Sequence, residues 1–167
     1  AFILTFVTYK DDEVKAVTGG SSKSSIKKST VVSPLRGSIV ALSEVEDEAF
    51  STGVLGKGLA IIPAEGKVIA PADGVVTTLF PTGHAIGLTA DSGADILIHV
   101  GMDTVKLDGK YFTPKVAQGD TVRKGQLLLE FDMDRIKAEG YSLVTPVIIT
   151  NTDDYADVIM TDSKNIA

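Results

Sequence analysis

Two histidines are the only imidazoles in this chain of 167 residues, and both stand among apolar neighbours. His84 lies in the segment FPTGHAIGL, and His99 follows in GADILIHVGMDTV. A neutral imidazole is nucleophilic at one ring nitrogen while the other nitrogen donates its proton to an acceptor. A second imidazole beside it can donate a hydrogen bond to a transferred anion such as a phosphoryl group. The pair suits group transfer if the fold brings it together, whereas a single histidine in an apolar strand is more often a core residue.

The residues after His99 fit the same chemistry, and several other chemistries are excluded. Gly101 leaves room for a charged group beside the backbone, and Asp103 is placed to orient a ring or a partner. The absence of cysteine excludes disulfides, thiol nucleophiles and cysteine-type zinc sites. No serine stands in a G-x-S-x-G setting, so a hydrolytic triad has no support. A net charge of −6 without a basic patch argues against nucleic acid as a partner.

A hairpin must position the two histidines, because the turn signal DSG separates HAIGLTA from ADILIHV. Side chains alternate along a strand, which places His84 with Ile86 and Leu88, and His99 with Leu97. If paired residue numbers sum to 183, as with a two-residue loop at positions 91–92, the imidazoles face each other. A sum of 185 makes them diagonal neighbours, and a sum of 184 puts them on opposite faces. The register stays open at this point.

Beyond residue 30, short apolar or alternating runs bounded by turn residues predict an all-β antiparallel sandwich or barrel. One or two short helices are expected, at DMDRIKAEG with Asp132 as cap and Gly140 as stop, and at GMDTVK. A partial repeat, SPLRGSIVAL and APADGVVTTL, indicates duplicated β units. Its matched pairs are Pro34/Pro71, Gly37/Gly74, Ile39/Val76 and Leu42/Leu79. The predicted strands are GSIVAL, GLAIIP, GKVIAP, GVVTTLF, HAIGLTA, ADILIHV, QLLLEF and LVTPVIIT.

The N-terminal segment differs in composition from the rest of the chain. The apolar stretch AFILTFVTY is followed by KDDEVK and by the low-complexity stretch TGGSSKSSIKKST. A spanning helix needs about 20 apolar residues, so this piece alone cannot cross a membrane. Two interpretations stand: the cut end of a transmembrane helix running into a flexible linker, or a strand or docking segment. We divide the chain into residues 1–30 and a folded domain over residues 31–167.

The segment GADILIHVGMDTV resembles the phosphorylation-site motif of the glucose-family IIA domains of the bacterial phosphoenolpyruvate:sugar phosphotransferase system. Further blocks carry the resemblance over about residues 31–160. They are AFSTGVLGKGLAI, VIAPADGVV, FPTGHAIGL, GQLLLEFD and LVTPVIITN. The resemblance implies an antiparallel β-sandwich of duplicated units (a duplicated hybrid motif) and phosphotransferase activity.

The resemblance also implies roles for individual residues. His99 carries the phosphoryl group as a covalent phosphohistidine, accepted from the histidine phosphocarrier protein HPr and passed to a cysteine of a IIB domain. His84 hydrogen-bonds the phosphate, the Thr82 hydroxyl supports His84, and Gly101 and Asp103 flank the phosphohistidine. HPr and IIB are expected to dock on a partner-binding rim made of Phe50, Val54, Leu55, Phe80, Leu97, Val105 and Asp47.

No resident cofactor is required by this chemistry, although His84 and His99 are two candidate ligands for a zinc ion at an interface with another protein. In some permeases of this system the domain order is IIB, membrane-embedded IIC, then IIA. Residues 1–30 then join a IIC domain to the IIA domain of a fused permease of the β-glucoside, sucrose or trehalose type. This order implies a location at the cytoplasmic face of the cell membrane.

Two rival functions remain to be distinguished. The same two histidines would serve a metal-binding or regulatory interaction module. The stretch VAQGDTVRKGQLLLEF resembles lipoyl and biotinyl carrier domains. Those domains carry a modifiable lysine, typically in a Met-Lys-Met or Asp-Lys-Ala setting, and neither triplet occurs in this sequence. The carrier interpretation is therefore the weaker of the two.

Overall fold

Antiparallel strands make up most of the regular structure in the computed structural model, which describes residues 6–10, 27–155, 157–160 and 165–166. Within these residues the helices are α1 (Glu48–Ser51), α2 (Met133–Ala138) and 3-10 turns at Leu42–Glu44, Thr104–Leu107 and Thr152–Asp154. The predicted all-β class with short helices is confirmed. The strands are β1 (Phe6–Lys10), β2 (Lys27–Val31), β3 (Gly37–Ala41), β4 (Lys57–Pro63), β5 (Lys67–Ile69), β6 (Gly74–Leu79), β7 (Ala85–Ala90), β8 (Asp95–His99), β9 (Phe112–Pro114), β10 (Thr121–Val122), β11 (Leu127–Phe131), β12 (Thr145–Ile149), β13 (Asp157–Ile159) and β14 (Asn165–Ile166).

The largest sheet has eight strands in the order β10-β6-β7-β8-β12-β4-β3-β14, and it carries an internal symmetry. The hairpins β3–β4 and β6–β7 lie on either side of the central pair β8–β12. Two backbone hydrogen bonds repeat with them: Val32 N–H donates to the Pro71 carbonyl, and Ile69 N–H donates to the Pro34 carbonyl, each at 2.9 Å. The donor residues of the two bonds, and likewise their acceptor residues, are separated in sequence by the same number of positions as the two repeated motifs. The predicted duplication is therefore confirmed in the backbone.

Strand alternation decides which side chains of β8 enter the main core. Ile96 and Ile98 are buried, while Leu97 and His99 are half-buried on the other face. Burial of one isoleucine side chain stabilises a fold by about 1.5–3 kcal/mol, so the two isoleucines hold the orientation of this strand. The core also includes side chains of the three-stranded sheet β5-β11-β9. A smaller cluster comprises Leu42, Val45, Phe50, Ala60 and Ile148.

Both helical turns lie where the sequence predicts them. Asp132 Oδ1 accepts a hydrogen bond from the Arg135 N–H at 3.1 Å and caps α2. The helix ends before Gly140, whose φ of +90° suits glycine. The turn at GMDTVK is the 3-10 turn Thr104–Leu107.

Strand β1 pairs with β2 and β13 in a separate three-stranded sheet. Phe6–Lys10 therefore form a strand, where one interpretation of the sequence placed the end of a helix. Residues 1–5 and 11–26, which hold the rest of that prediction, lie outside the described residues. Among the residues that the structure does describe, no helix is both long and apolar enough to cross a membrane.

Candidate active site

The β7–β8 hairpin positions His99 at the end of β8, on the same face as Leu97, as the sequence predicts. Ala85 lies opposite His99, so the paired numbers sum to 184. This is the register that was expected to separate the two imidazoles. The loop has three residues, positions 91–93, and not two, with Gly93 at a φ of +96° as such loops require.

The two imidazoles nevertheless meet, with ring centroids 4.9 Å apart and planes at 82°. His84 does not belong to β7 but precedes it, in a turn where Gly83 has a φ of +70°. Alternation between faces holds only inside a strand, so it does not fix the direction of the His84 side chain. The inference from register was wrong because it extended β7 by one residue.

His99 is held in one tautomer by the backbone that follows it. Its Nδ1 lies 2.8 Å from the Gly101 carbonyl oxygen, which can only accept a hydrogen bond. The ring proton is therefore on Nδ1, and Nε2 carries the free lone pair. Burial lowers the pKa of His99, against the opposing effects of the Gly101 carbonyl and of the Asp47 and Asp103 charges. The ring is thus neutral and nucleophilic at neutral pH.

His84 is the more buried of the two, with 4% of its surface exposed. Burial, together with the charge of a protonated His99, lowers the pKa of His84 to about 4. Its Nδ1 lies 2.5 Å from the Thr82 Oγ1. When the Thr82 hydroxyl donates to Nδ1, the proton of the neutral ring is on Nε2 and is available to an anion.

One aromatic ring packs against each imidazole. The Phe50 ring centroid lies 5.1 Å from that of His99, and the Phe80 centroid lies 5.4 Å from that of His84. Phe50 belongs to the connection between β3 and β4, and Phe80 to the connection between β6 and β7. The loop of each duplicated hairpin therefore places one phenylalanine ring beside one of the two histidines.

Gly101 and Asp103 shape the backbone beside His99. Gly101 has a φ of +76°, and a Cβ at this position would lie 2.7 Å from the Ser142 carbonyl oxygen. Asp103 has a φ of +58°, and its carboxylate lies 3.5 Å from the Lys106 ammonium in an exposed ion pair. Asp103 thus acts on His99 through its charge, while its carboxylate contacts a lysine and not a ring.

Exposed apolar side chains come from the segments around the two histidines. Val54 is 81% exposed, Val105 50% and Phe80 40%, and Leu55 is also exposed. Phe50 differs from the expected surface position, because it is buried under His99 with 5% of its surface exposed. Beside Phe80 lies a shallow depression of about 410 Å³, lined among others by Thr77, Thr78, Gly87 and Leu97.

Asp47 has a structural task beside its predicted docking role. Its Oδ1 accepts a hydrogen bond from the Ala49 N–H at 2.8 Å and caps α1. The negative charge of the same carboxylate opposes the lowering of the His99 pKa by burial. This cap was not predicted from the sequence, although an aspartate directly before Glu-Ala-Phe is a recognisable helix start.

Two contacts at the site had no signal in the sequence. The Phe50–His99 ring contact joins residues that are far apart in the chain. The fully buried Thr104 donates its hydroxyl to the Val100 carbonyl at 2.5 Å, directly beside His99. Among the described residues, no group of three or more histidine, aspartate or glutamate side chains is arranged to hold a metal ion.

Comparison with known proteins gives a consistent result. Residues 29–155 match the family described as phosphoenolpyruvate-dependent sugar phosphotransferase system, EIIA 1. The chain is 50% identical over 155 residues, or 93% of its length, to the PTS system beta-glucoside-specific EIIBCA component of Halalkalibacterium halodurans, of which it covers 24%. It is 55% identical over 133 residues, or 80% of its length, to the beta-glucoside-specific EIIBCA component of Dickeya chrysanthemi, of which it covers 21%.

Among solved structures, the glucose permease IIA from Mycoplasma capricolum superposes with a TM-score of 0.71 at 37% sequence identity. The match covers 78% of this chain and 92% of that one. By contrast, the chain spans about a quarter of the length of the beta-glucoside-specific relatives.

Proposed function

The chain belongs to the EIIA 1 family of the phosphoenolpyruvate-dependent sugar phosphotransferase system, and from this premise we propose that His99 is its phosphoryl-carrying residue. The observation that carries the proposal is the perpendicular imidazole pair, 4.9 Å between centroids, in which the Gly101 carbonyl leaves Nε2 of His99 free. A free lone pair on a neutral ring is what attack on phosphorus requires.

The proposed reaction exchanges one nitrogen–phosphorus bond for another. The bond between phosphorus and the histidine of phosphorylated HPr breaks, and its electron pair leaves with that histidine. Nε2 of His99 forms the new bond, while the ring keeps its proton on Nδ1. The Gly101 carbonyl accepts a hydrogen bond from that proton and stabilises the positive charge that develops on the ring. Attack by a cysteine thiolate of IIB on phosphorus then releases His99 in its starting state.

We propose that His84 stabilises the transferred group without accepting it. Its Nδ1 is engaged with the Thr82 hydroxyl, so the opposite nitrogen donates to a phosphoryl oxygen. The ring stays neutral because the pKa of His84 is lowered to about 4. Thr82 acts as the positioning residue of this ring.

A direct assay tests both assignments. The protein is incubated with phosphoenolpyruvate, enzyme I and HPr, and we expect one acid-labile, base-stable phosphate on His99. H99A should accept none, and phosphate on this variant would contradict the assignment. H84Q should accept phosphate from HPr but pass it to IIB more slowly, by on the order of 10²-fold, because the glutamine amide does not hold a donor at the position of the imidazole Nε2–H. Transfer at the wild-type rate would remove the role proposed for His84.

We propose that HPr and IIB dock in turn on the exposed apolar surface formed by Val54, Leu55, Phe80 and Val105, with Leu97 at its edge and Asp47 as its acidic member. Exposed apolar side chains around a reactive group support a protein–protein contact. An interface of modest area allows the two partners to alternate, because such complexes dissociate readily. The acidic character of Asp47 suits a basic surface on the phosphocarrier.

The names of the relatives support a proposal for the longer protein. We propose that residues 1–30 connect the IIA domain to a membrane-embedded IIC domain within a permease that also contains IIB, which places the IIA domain at the cytoplasmic face of the membrane. A gene whose sequence upstream of this chain encodes no membrane domain would contradict this arrangement.

A second use of the site is proposed for the same imidazoles. The two rings offer two of the four ligands that zinc prefers, so a zinc ion would need the remaining ligands from another protein or from water. Zinc titration by calorimetry, with and without a partner, tests this. Phosphorylation of His99 should abolish zinc binding, and binding that survives H99A would contradict the use of His99 as a ligand.

A further inference from the structure

Both backbone polar groups of Val100, the residue that follows His99, are hydrogen-bonded. The Val100 N–H donates to the carbonyl of His84 at 2.7 Å, which ties together the two segments that carry the histidines. The Val100 carbonyl accepts the hydrogen bond of the Thr104 hydroxyl at 2.5 Å. Thr104 is fully buried, so water cannot replace this hydroxyl at the carbonyl.

The next peptide supplies the acceptor for the His99 ring. The Gly101 carbonyl lies 2.8 Å from Nδ1 of His99. The methyl group of Thr104 packs against the α-carbon of Gly101, since a Cβ added there would lie 2.6 Å from Thr104 Cγ2. Thr104 therefore contacts both peptides: its hydroxyl binds one and its methyl group packs against the other.

The backbone between these residues needs such support. Gly101 and Asp103 both lie in the left-handed region, with φ of +76° and +58°, and for the aspartate this conformation costs free energy. On the far side, the Met102 N–H donates to the Ser142 carbonyl at 3.0 Å. On the His99 side of the turn, the hydrogen bond from the Thr104 hydroxyl to the Val100 carbonyl restrains the backbone in the same way.

We propose that Thr104 is a positioning residue of the phosphoryl relay, which holds the Gly101 carbonyl against Nδ1 and so keeps Nε2 of His99 unprotonated. This rests on the function proposed above. Without the hydroxyl, the Val100 peptide is free to rotate, and the Gly101 carbonyl moves away from the ring. The imidazole then divides between its two tautomers, and only one of them can attack phosphorus.

The decisive measurement is the tautomer of His99, read from the ring ¹⁵N chemical shifts of the full chain. In the wild type we expect the proton on Nδ1. T104V keeps the shape of the side chain but loses the hydroxyl, and we expect a substantial fraction with the proton on Nε2. T104S keeps the hydroxyl and should retain the wild-type tautomer. If T104V fails to fold, the comparison of T104A with T104S tests the same point.

The chain offers a matched control. Ser33 is also buried and donates its hydroxyl to a backbone carbonyl, that of Leu35, at 2.6 Å. S33A should lower the stability by an amount similar to that for T104V, because each leaves one buried carbonyl without its partner. It should leave the His99 tautomer unchanged, since Ser33 and Leu35 lie between β2 and β3 and not in the turn that follows His99.

The kinetic expectation follows from the buried position of Thr104. T104V should lower the maximal rate of phosphoryl acceptance from HPr about tenfold, as expected for loss of one hydrogen bond, without changing the concentration of HPr at half-saturation. A folded T104V with wild-type tautomer and rate, or an S33A with the same defects as T104V, would overturn the proposal. If wild-type His99 takes no phosphate, the proposed function fails, while the tautomer measurement still decides the role of Thr104.

Discussion

The two imidazoles differ in what holds them, and this difference sets their chemistry. His99 donates from Nδ1 to a backbone carbonyl, which leaves the lone pair of its other nitrogen free, as the proposed nucleophilic role requires. His84 is bound through Nδ1 to a hydroxyl, which can act as a donor and leave the opposite nitrogen as the donor to an anion. A backbone carbonyl and a threonine hydroxyl thus suit the same side chain to the two different roles proposed for it.

The lowered pKa of His84 predicts a pH dependence of stability. An unfolded histidine titrates near pH 6.5, and the folded ring near 4, so the unfolded chain binds more protons between these values. The contribution of His84 to the free energy of unfolding is therefore fully present above pH 6.5 and is lost as the pH falls towards 4. Urea unfolding at pH 7 and pH 4.5 should show a smaller loss for H84Q than for the wild type. Equal losses in the two proteins would show that His84 is not the group responsible.

Gly101 should tolerate no side chain. In G101A a methyl group meets the Ser142 carbonyl oxygen at 2.7 Å in a left-handed backbone, and we expect a loss of about 3 kcal/mol in the free energy of unfolding. Gly53 is the matched control, with a φ of +75° and no atom within 4 Å of an added Cβ. G53A should cost about 1 kcal/mol, the strain alone. Equal losses in denaturant unfolding would show that the contact beside His99 is unimportant.

At the scale of elements, the three-residue loop of the β7–β8 hairpin sets the register that presents His99 to solvent. The duplicated hairpins place the other side chains of the site, since the two equivalent loops carry Phe50 and Phe80. The site is therefore built at the ends of strands, where turn geometry decides the direction of a side chain.

This loop gives a prediction at Gly93, whose φ is +96°. Asparagine adopts the left-handed region more readily than other residues with a side chain, whereas valine is strongly disfavoured there. G93V should therefore unfold about 1 kcal/mol more easily than G93N in a thermal or denaturant titration. An added Cβ would meet the Tyr155 hydroxyl only at 3.6 Å, an ordinary contact, so the difference reports backbone strain. A G93V as stable as G93N would mean that the loop adopts another conformation.

At the scale of the whole molecule, the proposed relay uses the exposed apolar surface and the imidazole pair together. In this relay both partners must reach Nε2 of His99, and each must leave again after transfer. A shallow surface with exposed apolar side chains such as Val54 and Val105 serves this better than a deep pocket would.

Replacement of Val54, which is 81% exposed, tests this surface. V54N should raise the HPr concentration at half-maximal rate about tenfold, because an apolar side chain of this size contributes roughly 1–2 kcal/mol when buried in an interface. The His99 tautomer should not change. Ile159, 43% exposed in the separate sheet with β1 and β2, is the control, and I159N should behave as the wild type. An equal effect of both variants would locate the docking surface elsewhere.

Local patterns in the sequence were sufficient for most of the fold. The alternation in ADILIHV predicted β8 and the shared face of Leu97 and His99, and Asp132 predicted the start of α2. The repeat around Pro34 and Pro71 predicted the duplication that the backbone hydrogen bonds confirm. These features succeed because periodicity, capping and turn preferences act over a few residues.

The arrangement of the site depended on the tertiary structure. Register alone would have separated the histidines, and a turn at Gly83, outside β7, brings His84 to His99. Phe50 lies under the His99 ring, and Thr104 holds the peptide beside it. The sequence by itself determined the strands, the duplication and the two candidate histidines. Only the tertiary structure decided how the rings meet and which nitrogen is free, because both depend on individual backbone dihedral angles and on contacts between distant residues.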